Sequence, residues 1–225
     1  MLSNIIETLI NLVQLGGPVV GLLLCISVIS VAIILFKLWQ FWFIGIKRTA
    51  AVQDALFLCK RGDEKAALIL IDHDRTFLAE YFKDVLKIQK VYAKDELIEH
   101  FSMIAKRRLK TLATGLRGLD TIAQVSPLIG LFGTVLGMIE AFQKLQDAGN
   151  SVDPSLLAGG IWVALLTTAV GLAIAMPSSM FLSYFESQLE RLQLSIEEIL
   201  SAVTNPVVLP DTEKSPTSEK MAFAT

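Results

Sequence analysis

Two apolar stretches of this sequence carry hydroxyl-bearing and small side chains at spacings of three and four residues, which place them on one face of a helix. Such stripes let membrane helices pack closely, and threonine hydroxyls can also line a wet cavity or bond back to the helix. The residue types alone leave both roles open. The first stripe is Ser126, Gly130, Gly133, Thr134 and Gly137, and the second is Gly160, Ala164, Thr167, Thr168, Gly171, Ala175 and Ser178.

Ionisable side chains near these stripes stand at the ends of the apolar stretches. Asp120 precedes the first stripe, where it could relay protons or pair with Arg117 three residues earlier. Glu140 follows the first stripe and is expected to be solvated. His73 and His100 stand singly, without the spacing of a metal site, and no nucleophile–base pair or phosphate-binding loop is present. The sequence therefore predicts no enzyme, no metal and no cofactor.

The helices that hold the stripes are long enough to cross a membrane. Hydrophobic residues make up 53% of the 225-residue chain, and the mean hydropathy is +0.56. Residues 17–36, 121–139 and 155–185 contain no charge, and about 20 apolar residues of helix span a bilayer core. The N-terminus lacks the features of a cleaved signal peptide, so the first span is expected to remain as an anchor. Lys37, at its inner end, is expected to reach the head groups.

Positive charge predicts the orientation of the spans. Fifteen of the 20 Lys and Arg residues lie between Lys47 and Arg117, so this segment is expected in the cytoplasm. The N-terminus and the loop at 144–154 then face outward, and the C-terminus faces inward. The basic cluster from Lys106 to Lys110 is expected to attract anionic head groups or acidic neighbours.

The cytoplasmic segment is expected to be helical, with breaks near 61–63 and 72–75 and an N-cap at Asp63. From Lys94 the pattern stays helical through Gly115, and a helix continuous to about Gln146 would be about 80 Å long. A second helix start is predicted at Asp153 and Pro154.

Two motifs carry a resemblance to a known family. Residues 126–138 (SPLIGLFGTVLGM) resemble the second transmembrane signature of the MotA/TolQ/ExbB proton-channel family, and residues 164–177 (ALLTTAVGLAIAMP) resemble the third. Three spans, an outward N-terminus and a long cytoplasmic insertion are similar to the ExbB/TolQ branch.

The resemblance implies a homopentamer whose second and third helices surround a pore. It also implies a dimer of a single-span ExbD/TolR-type subunit, which supplies a proton-carrying aspartate. Proton flow would energise a TonB- or TolA-type periplasmic protein, for example in TonB-dependent import. Thr134 and Thr168 match the family's pore-facing threonines, with Thr167 and Ser126 as further candidates for the proton path. The residues expected to pack around the pore are Gly130, Gly133, Gly137, Pro127, Ala164, Gly171 and Pro177.

One position departs from the family pattern. ExbB and TolQ proteins usually carry a glutamate five residues before the threonine that matches Thr168, and Val163 stands there in this chain. A buried carboxylate in a membrane is costly and marks function, so its absence implies that a partner supplies the titrating group. The alternatives are a non-conducting membrane scaffold, or a TolQ-like or specialised motor subunit for envelope maintenance or motility.

The sequence thus predicts an all-α membrane protein with three transmembrane helices and long cytoplasmic helical extensions, located in the bacterial inner membrane. The expected segments are a periplasmic-side amphipathic helix (1–16), the first span with its interfacial belt (17–46), a cytoplasmic helical domain (47–120), the second span (121–143), a periplasmic loop (144–154), the third span (155–185), its cytoplasmic extension (186–205) and a disordered tail (206–225).

Overall fold

The computed structural model describes residues 2–44, 50–147 and 154–205, and these residues form seven α-helices without a strand. The predicted all-α class is therefore confirmed. Asp153 and the segment 206–225 lie outside the described residues, as do the side chains of the predicted amphipathic helix. The helices are α1 (Leu2–Ile44), α2 (Ala50–Lys60), α3 (Glu64–Ile71), α4 (Phe77–Ile88), α5 (Lys94–Ala113), α6 (Leu116–Asp147) and α7 (Pro154–Thr204).

Three stretches are long and apolar enough to cross a membrane. Among the described residues they are Gly16–Trp42 in α1, Lys94–Asp147, which covers α5 and α6, and Leu157–Thr204 in α7. Their apolar side chains are largely exposed, as expected of surfaces that lipid or other helices cover. The predicted number of three spans is confirmed.

Three of the described glycines have positive φ angles: Gly62 lies between α2 and α3, and the other two interrupt longer helical stretches. In α1 the backbone leaves the helical conformation at Gly17, with φ 66° and ψ −164°, immediately before Pro18. Gly115, with φ 91°, separates α5 from α6. Glycine adopts this conformation without the steric cost that a Cβ would bring. The predicted single helix from Lys94 to about Gln146 was therefore wrong, because the helical hydrophobic pattern continues across a residue that ends the helix.

The chain divides into two compact units. Unit 1 comprises Met1–Lys37 and Gly115–Phe185, and unit 2 comprises Leu38–Thr114 and Glu186–Thr225. Unit 1 holds α6 and most of the apolar part of α7, so it contains every residue predicted to form the proton path. Unit 2 holds the short helices α2 to α5 and the last part of α7.

Lys37 is buried within unit 1, with 1% of its surface exposed. Its Cε lies 3.6 Å from the point where a Cβ on Gly115 would stand. The prediction that Lys37 reaches outward to the head groups was therefore wrong. The side chain packs beside the glycine at the start of α6, a neighbour that the sequence pattern did not reveal.

Unit 2 is held by large side chains and by polar contacts between helices. Tyr81 donates its hydroxyl to the carbonyl of Phe101 at 3.1 Å, which joins α4 to α5. Lys83 donates to the carbonyls of Asp72 and Asp74, at 2.7 and 3.2 Å, and so fixes the turn between α3 and α4. The carboxylate of Asp63 accepts the Ala66 N–H at 3.1 Å, which confirms the predicted N-cap.

Candidate functional site

The helices α6 and α7 approach each other most closely at two glycines. A Cβ on Gly171 would stand 2.6 Å from the carbonyl oxygen of Ser126 and 3.2 Å from the Cα of Gly130. A Cβ on Gly130 would stand 2.9 Å from the carbonyl oxygen of Thr167. Contacts under 3.0 Å with backbone atoms cannot be relieved by moving a side chain. The two backbones therefore touch here only because both positions are glycine.

The same contact continues along the helix pair. A Cβ on Gly133 would stand 2.7 Å from the hydroxyl oxygen of Thr167, and one on Gly137 would stand 3.1 Å from the Cβ of Ala164. Gly160 packs against Ala141 in the same way. Residue numbers rise along α6 as they fall along α7, so the two helices run antiparallel. The small residues between Ser126 and Gly137 in the first stripe and between Gly160 and Gly171 in the second therefore meet in one interface.

Two threonine hydroxyls of α7 converge on one carbonyl of α6. The hydroxyls of Thr167 and Thr168 each lie 3.1 Å from the carbonyl oxygen of Gly130. Thr167 also lies 2.7 Å from the carbonyl oxygen of Ala164 in its own helix, and only 2% of its surface is exposed. Thr168 is half-buried. Thr167 thus sits inside the interface, whereas Thr168 sits at its edge.

Thr134 lies at the corresponding edge of α6. Counted at about 100° per residue, Thr134 and Thr168 are each rotated about 60° from the contact face, in the same rotational sense. Because the helices are antiparallel, equal rotations of the same sense place the two threonines on the same side of the pair. The side chain of Thr134 is half-buried, and its hydroxyl donates to the carbonyl of Leu131 at 2.7 Å.

A surface cavity of about 500 Å³ adjoins Thr134. Apart from Thr134, its polar lining comes from two glutamines near the end of α6, and the remaining lining is apolar. The hydroxyl therefore borders open space within a single chain. The lining residues are Thr134, Val135, Met138, Ile139, Phe142, Gln143 and Gln146.

The remaining predicted site residues lie around this pair. Ser126 is fully buried and donates to the carbonyl of Ile122 at 2.6 Å. Pro127 and Pro177 lie inside α6 and α7, where each lacks the N–H that would bond the preceding turn. Val163 is half-buried, so an apolar side chain occupies the position where a carboxylate is usual in the ExbB and TolQ pattern.

Asp120 lies near the start of α6, about 21 Å along the helix from Thr134 and within about 40° of it around the axis. Its carboxylate accepts a hydrogen bond from the Gln124 side chain at 2.6 Å. At the other end of α6, Glu140 is exposed to solvent, as expected, and also pairs with Lys144 at 2.8 Å, one turn away.

The sequence reasoning missed a serine pair between α1 and α7. The hydroxyl oxygens of Ser30 and Ser178 lie 2.7 Å apart, and both side chains are buried. The Ser178 hydroxyl also lies 2.8 Å from the carbonyl oxygen of Ile174, one turn earlier in α7. A serine in the middle of an otherwise apolar span was the available signal, because a hydroxyl there needs a partner.

Comparison with known sequences gives a family and several relatives. The sequence profile described as the MotA/TolQ/ExbB proton channel family matches residues 72–198, more than half of the chain. The biopolymer transport protein exbB1 of Vibrio cholerae is 41% identical over 90 residues, which are 40% of this chain and 40% of that protein. That alignment therefore covers less than half of the relative's length.

Two further relatives extend the similarity. A putative biopolymer transport protein ExbB homolog of Methanothermobacter thermautotrophicus is 27% identical over 206 residues, 90% of this chain and 71% of the relative. The Tol-Pal system protein TolQ of Haemophilus influenzae is 40% identical over 79 residues, 35% of this chain and 34% of TolQ. The three apolar helices and these relatives make the chain a multi-pass inner-membrane protein. With the profile match across α4, α5, α6 and most of α7, this chain belongs to the MotA/TolQ/ExbB proton channel family.

Proposed function

We propose that this chain is the channel and stator subunit of a membrane motor driven by the proton-motive force. In this role several copies, five by resemblance to the family, surround a pore with α6 and α7. A single-span subunit of the ExbD/TolR type, working as a dimer, sits in the pore. Proton flow past its aspartate energises a TonB- or TolA-type protein in the periplasm, as in TonB-dependent import.

The observation that carries this proposal is the placement of Thr134 and Thr168. Both hydroxyls are half-buried on the same side of a rigid helix pair, and Thr134 borders a cavity. Each hydroxyl proton can rotate between a carbonyl of the protein and a water molecule or carboxylate in the open space. A threonine pair at this edge can therefore orient water along a path and hydrogen-bond a partner's carboxylate.

The proposal requires a carboxylate from outside the chain. The sequence has no acidic residue in 17–36, 121–139 or 155–185. Threonine hydroxyls do not bind or release protons at physiological pH, so they cannot by themselves store the transferred proton. We therefore assign proton storage to the single-span partner and water orientation to this chain. Asp120, on the same side of α6 as Thr134, is the proposed cytoplasmic relay.

Thr167 and Ser126 have a different part in the proposal, although both were candidates for the proton path. Their hydroxyls are buried and directed at backbone carbonyls, which supports a role in holding α6 against α7. Gly130 and Gly171 also hold the two helices together, because they let the backbones touch. A fixed helix spacing keeps the threonines at the pore edge in place.

Replacement of single threonines tests this division of roles. Thr134→Val and Thr168→Val keep the side-chain shape and remove the hydroxyl. Each should lower partner-dependent proton flux in liposomes by about tenfold, because the loss of one hydrogen bond of about 1.4 kcal/mol corresponds to a tenfold change in rate. Thr134→Ser should retain flux. The matched control is Thr111→Val, because the Thr111 hydroxyl bonds back to the Arg107 carbonyl in unit 2. Full flux in both valine variants would contradict the threonine mechanism.

The scaffold alternative rests on Val163, which stands where a carboxylate is usual. A scaffold would assemble the same partners while passing no protons. If the chain were such a scaffold, the wild type and the threonine variants would all form a stable complex with the single-span subunit. None of them would give proton flux above that of empty liposomes.

A further inference from the structure

The exposed surface of unit 2 carries two stripes of opposite charge on different helices. On α5, Lys106 and Lys110 are exposed and lie on the side opposite the buried residues of that helix. On α7, Glu186, Glu190 and Glu197 are exposed and share one face, again opposite the buried side. Each stripe therefore points away from the core of unit 2.

Neither stripe finds its counter-charge in the described part of the chain. Within residues 50–147 and 154–205, no ion pair links Lys106 or Lys110 to a carboxylate, and none links Glu186 or Glu190 to a cation. Like charges four residues apart on one helix repel each other and cost about 0.2–0.5 kcal/mol per pair. Both stripes would thus gain from opposite charges supplied by another molecule.

Counted from one shared end, the two stripes lie at similar distances along their helices. The Lys94 ammonium at the start of α5 donates to the side-chain oxygen of Asn205, just after the end of α7, which gives both helices a common end. At about 1.5 Å per residue, Lys106 and Lys110 lie about 18 and 24 Å from that end along α5. Glu190 and Glu186 lie about 22 and 28 Å from it along α7.

We propose that the basic stripe of α5 docks on the acidic stripe of α7 in a second copy of this chain. Copies that are inserted into a membrane in one direction are related by rotation about the membrane normal, so residues at the same level meet. Opposite charges on two different faces of one unit make a head-to-tail contact, and such contacts form a ring when the rotation from copy to copy closes. The segment 207–225 is a poor occupant, because its five charged residues sum to −1.

This proposal rests on the assembly part of the proposed function and does not depend on proton conduction. It differs from docking of the lysines on anionic head groups, because a lipid surface would leave the acidic stripe without a role. It also adds a contact outside the membrane to those that the spans make. The cytoplasmic charges then fix the register between neighbouring copies, since like stripes repel when copies meet in any other order.

Charge exchange in the full-length chain tests the proposal. Wild-type chains carrying donor or acceptor dyes are reconstituted in phosphatidylcholine vesicles, which have no net anionic head groups, and energy transfer is followed as lipid dilutes the protein. Lys106→Glu with Lys110→Glu should weaken self-association about tenfold, and Glu186→Lys with Glu190→Lys should do the same. The chain with all four reversals should return to within about threefold of wild type. Raising salt from about 0.1 to 1 M should weaken the wild type, because the Debye length falls to about 3 Å.

A matched control changes the net charge equally at other exposed lysines, Lys65→Glu with Lys87→Glu, and should leave association unchanged. The proposal would be overturned if either double charge reversal associated as strongly as wild type. It would also be overturned if the variant with all four reversals associated no more strongly than the double reversals. If the wild type associates and conducts protons with its partner while the reversals have no effect, the charge contact fails and the proposed function stands. A wild type that never associates would contradict both.

Discussion

Each of the two units is stabilised internally by a different kind of contact between its helices. In unit 1 the closest contact between α6 and α7 is made by Gly130 and Gly171, whose backbones touch. In unit 2 the contact between α4 and α5 includes two buried aromatic residues, Tyr81 and Phe101. A membrane offers little hydrophobic gain for bringing apolar helices together, so close backbone packing and hydroxyl–carbonyl bonds carry the association. In the cytoplasmic position expected from the sequence, water surrounds unit 2, and burial of large apolar side chains would contribute most of its stability.

Loss of an aromatic core residue should have the largest effect, and it should be confined to unit 2. Phe101 is 2% exposed and meets the Tyr81 ring edge-on, with centroids 5.6 Å apart. Phe101→Ala should cost about 3–5 kcal/mol of the unfolding free energy of unit 2, because a cavity replaces the ring. Hydrogen exchange of α4 and α5 measures this directly. Faster exchange in α6 and in α7 before Glu186 as well would show that the two units unfold as one.

Addition of one methyl group should have the next largest effect, and only in unit 1. Gly171→Ala places a Cβ 2.6 Å from the Ser126 carbonyl oxygen, so the helices must separate at a cost of about 1–3 kcal/mol. Gly159→Ala is the matched control in the same helix, since a Cβ there meets nothing within 4 Å. Unfolding in mixed micelles compares the two variants. Equal stability would show that the glycine contact does not hold the pair together.

Removal of one hydroxyl from each unit compares their polar contacts. Tyr81→Phe should cost about 1 kcal/mol, because the Phe101 carbonyl loses a buried donor. Thr167→Val should cost about 0.6 kcal/mol, because Thr168 still reaches the shared Gly130 carbonyl. Replacing Thr167 and Thr168 together removes both donors, and its cost should exceed that of Thr167→Val. A double variant as stable as Thr167→Val alone would mean that the shared carbonyl does not matter.

The last expected effect is a pH dependence of unit 2, which appears only in alkaline solution. Burial, and secondarily the charge of Glu64, raise the pKa of the Cys59 thiol to about 11. The thiol thus stays neutral in the folded protein at pH values where the unfolded thiol has ionised. Its contribution to stability is complete below the unfolded pKa, near 9, and is lost as the pH rises towards about 11. Stability measured between about pH 8 and 11 should therefore fall less in Cys59→Ala than in wild type, and identical slopes would contradict the assignment.

The sequence predicted most of this fold because the relevant signals are local. Charge-free runs identified the three spans, and Asp63 identified a helix start through its own side chain. The stripes of small residues predicted that α6 and α7 would pack, since residues three and four apart share a helix face. The division between Thr167 and Thr168 was not predictable in this way, because adjacent residues differ only in how the partner helix lies against them.

Two other features depended on three-dimensional neighbours. The buried position of Lys37 follows from its packing beside Gly115, 78 residues later in the chain. The end of α5 depends on a positive φ at Gly115, and many helices tolerate a glycine without ending. The Ser30–Ser178 contact likewise joins residues from different spans.

Proton flux with and without the single-span partner is the most direct test of the proposed mechanism. The chain is reconstituted in liposomes alone, with an ExbD/TolR-type subunit, and with the same subunit whose intramembrane aspartate is replaced by asparagine. Because this chain supplies hydroxyls and no carboxylate in its spans, flux should appear only with the intact partner. Equal flux from the chain alone would contradict this mechanism, since a proton path would then exist without the partner's acid.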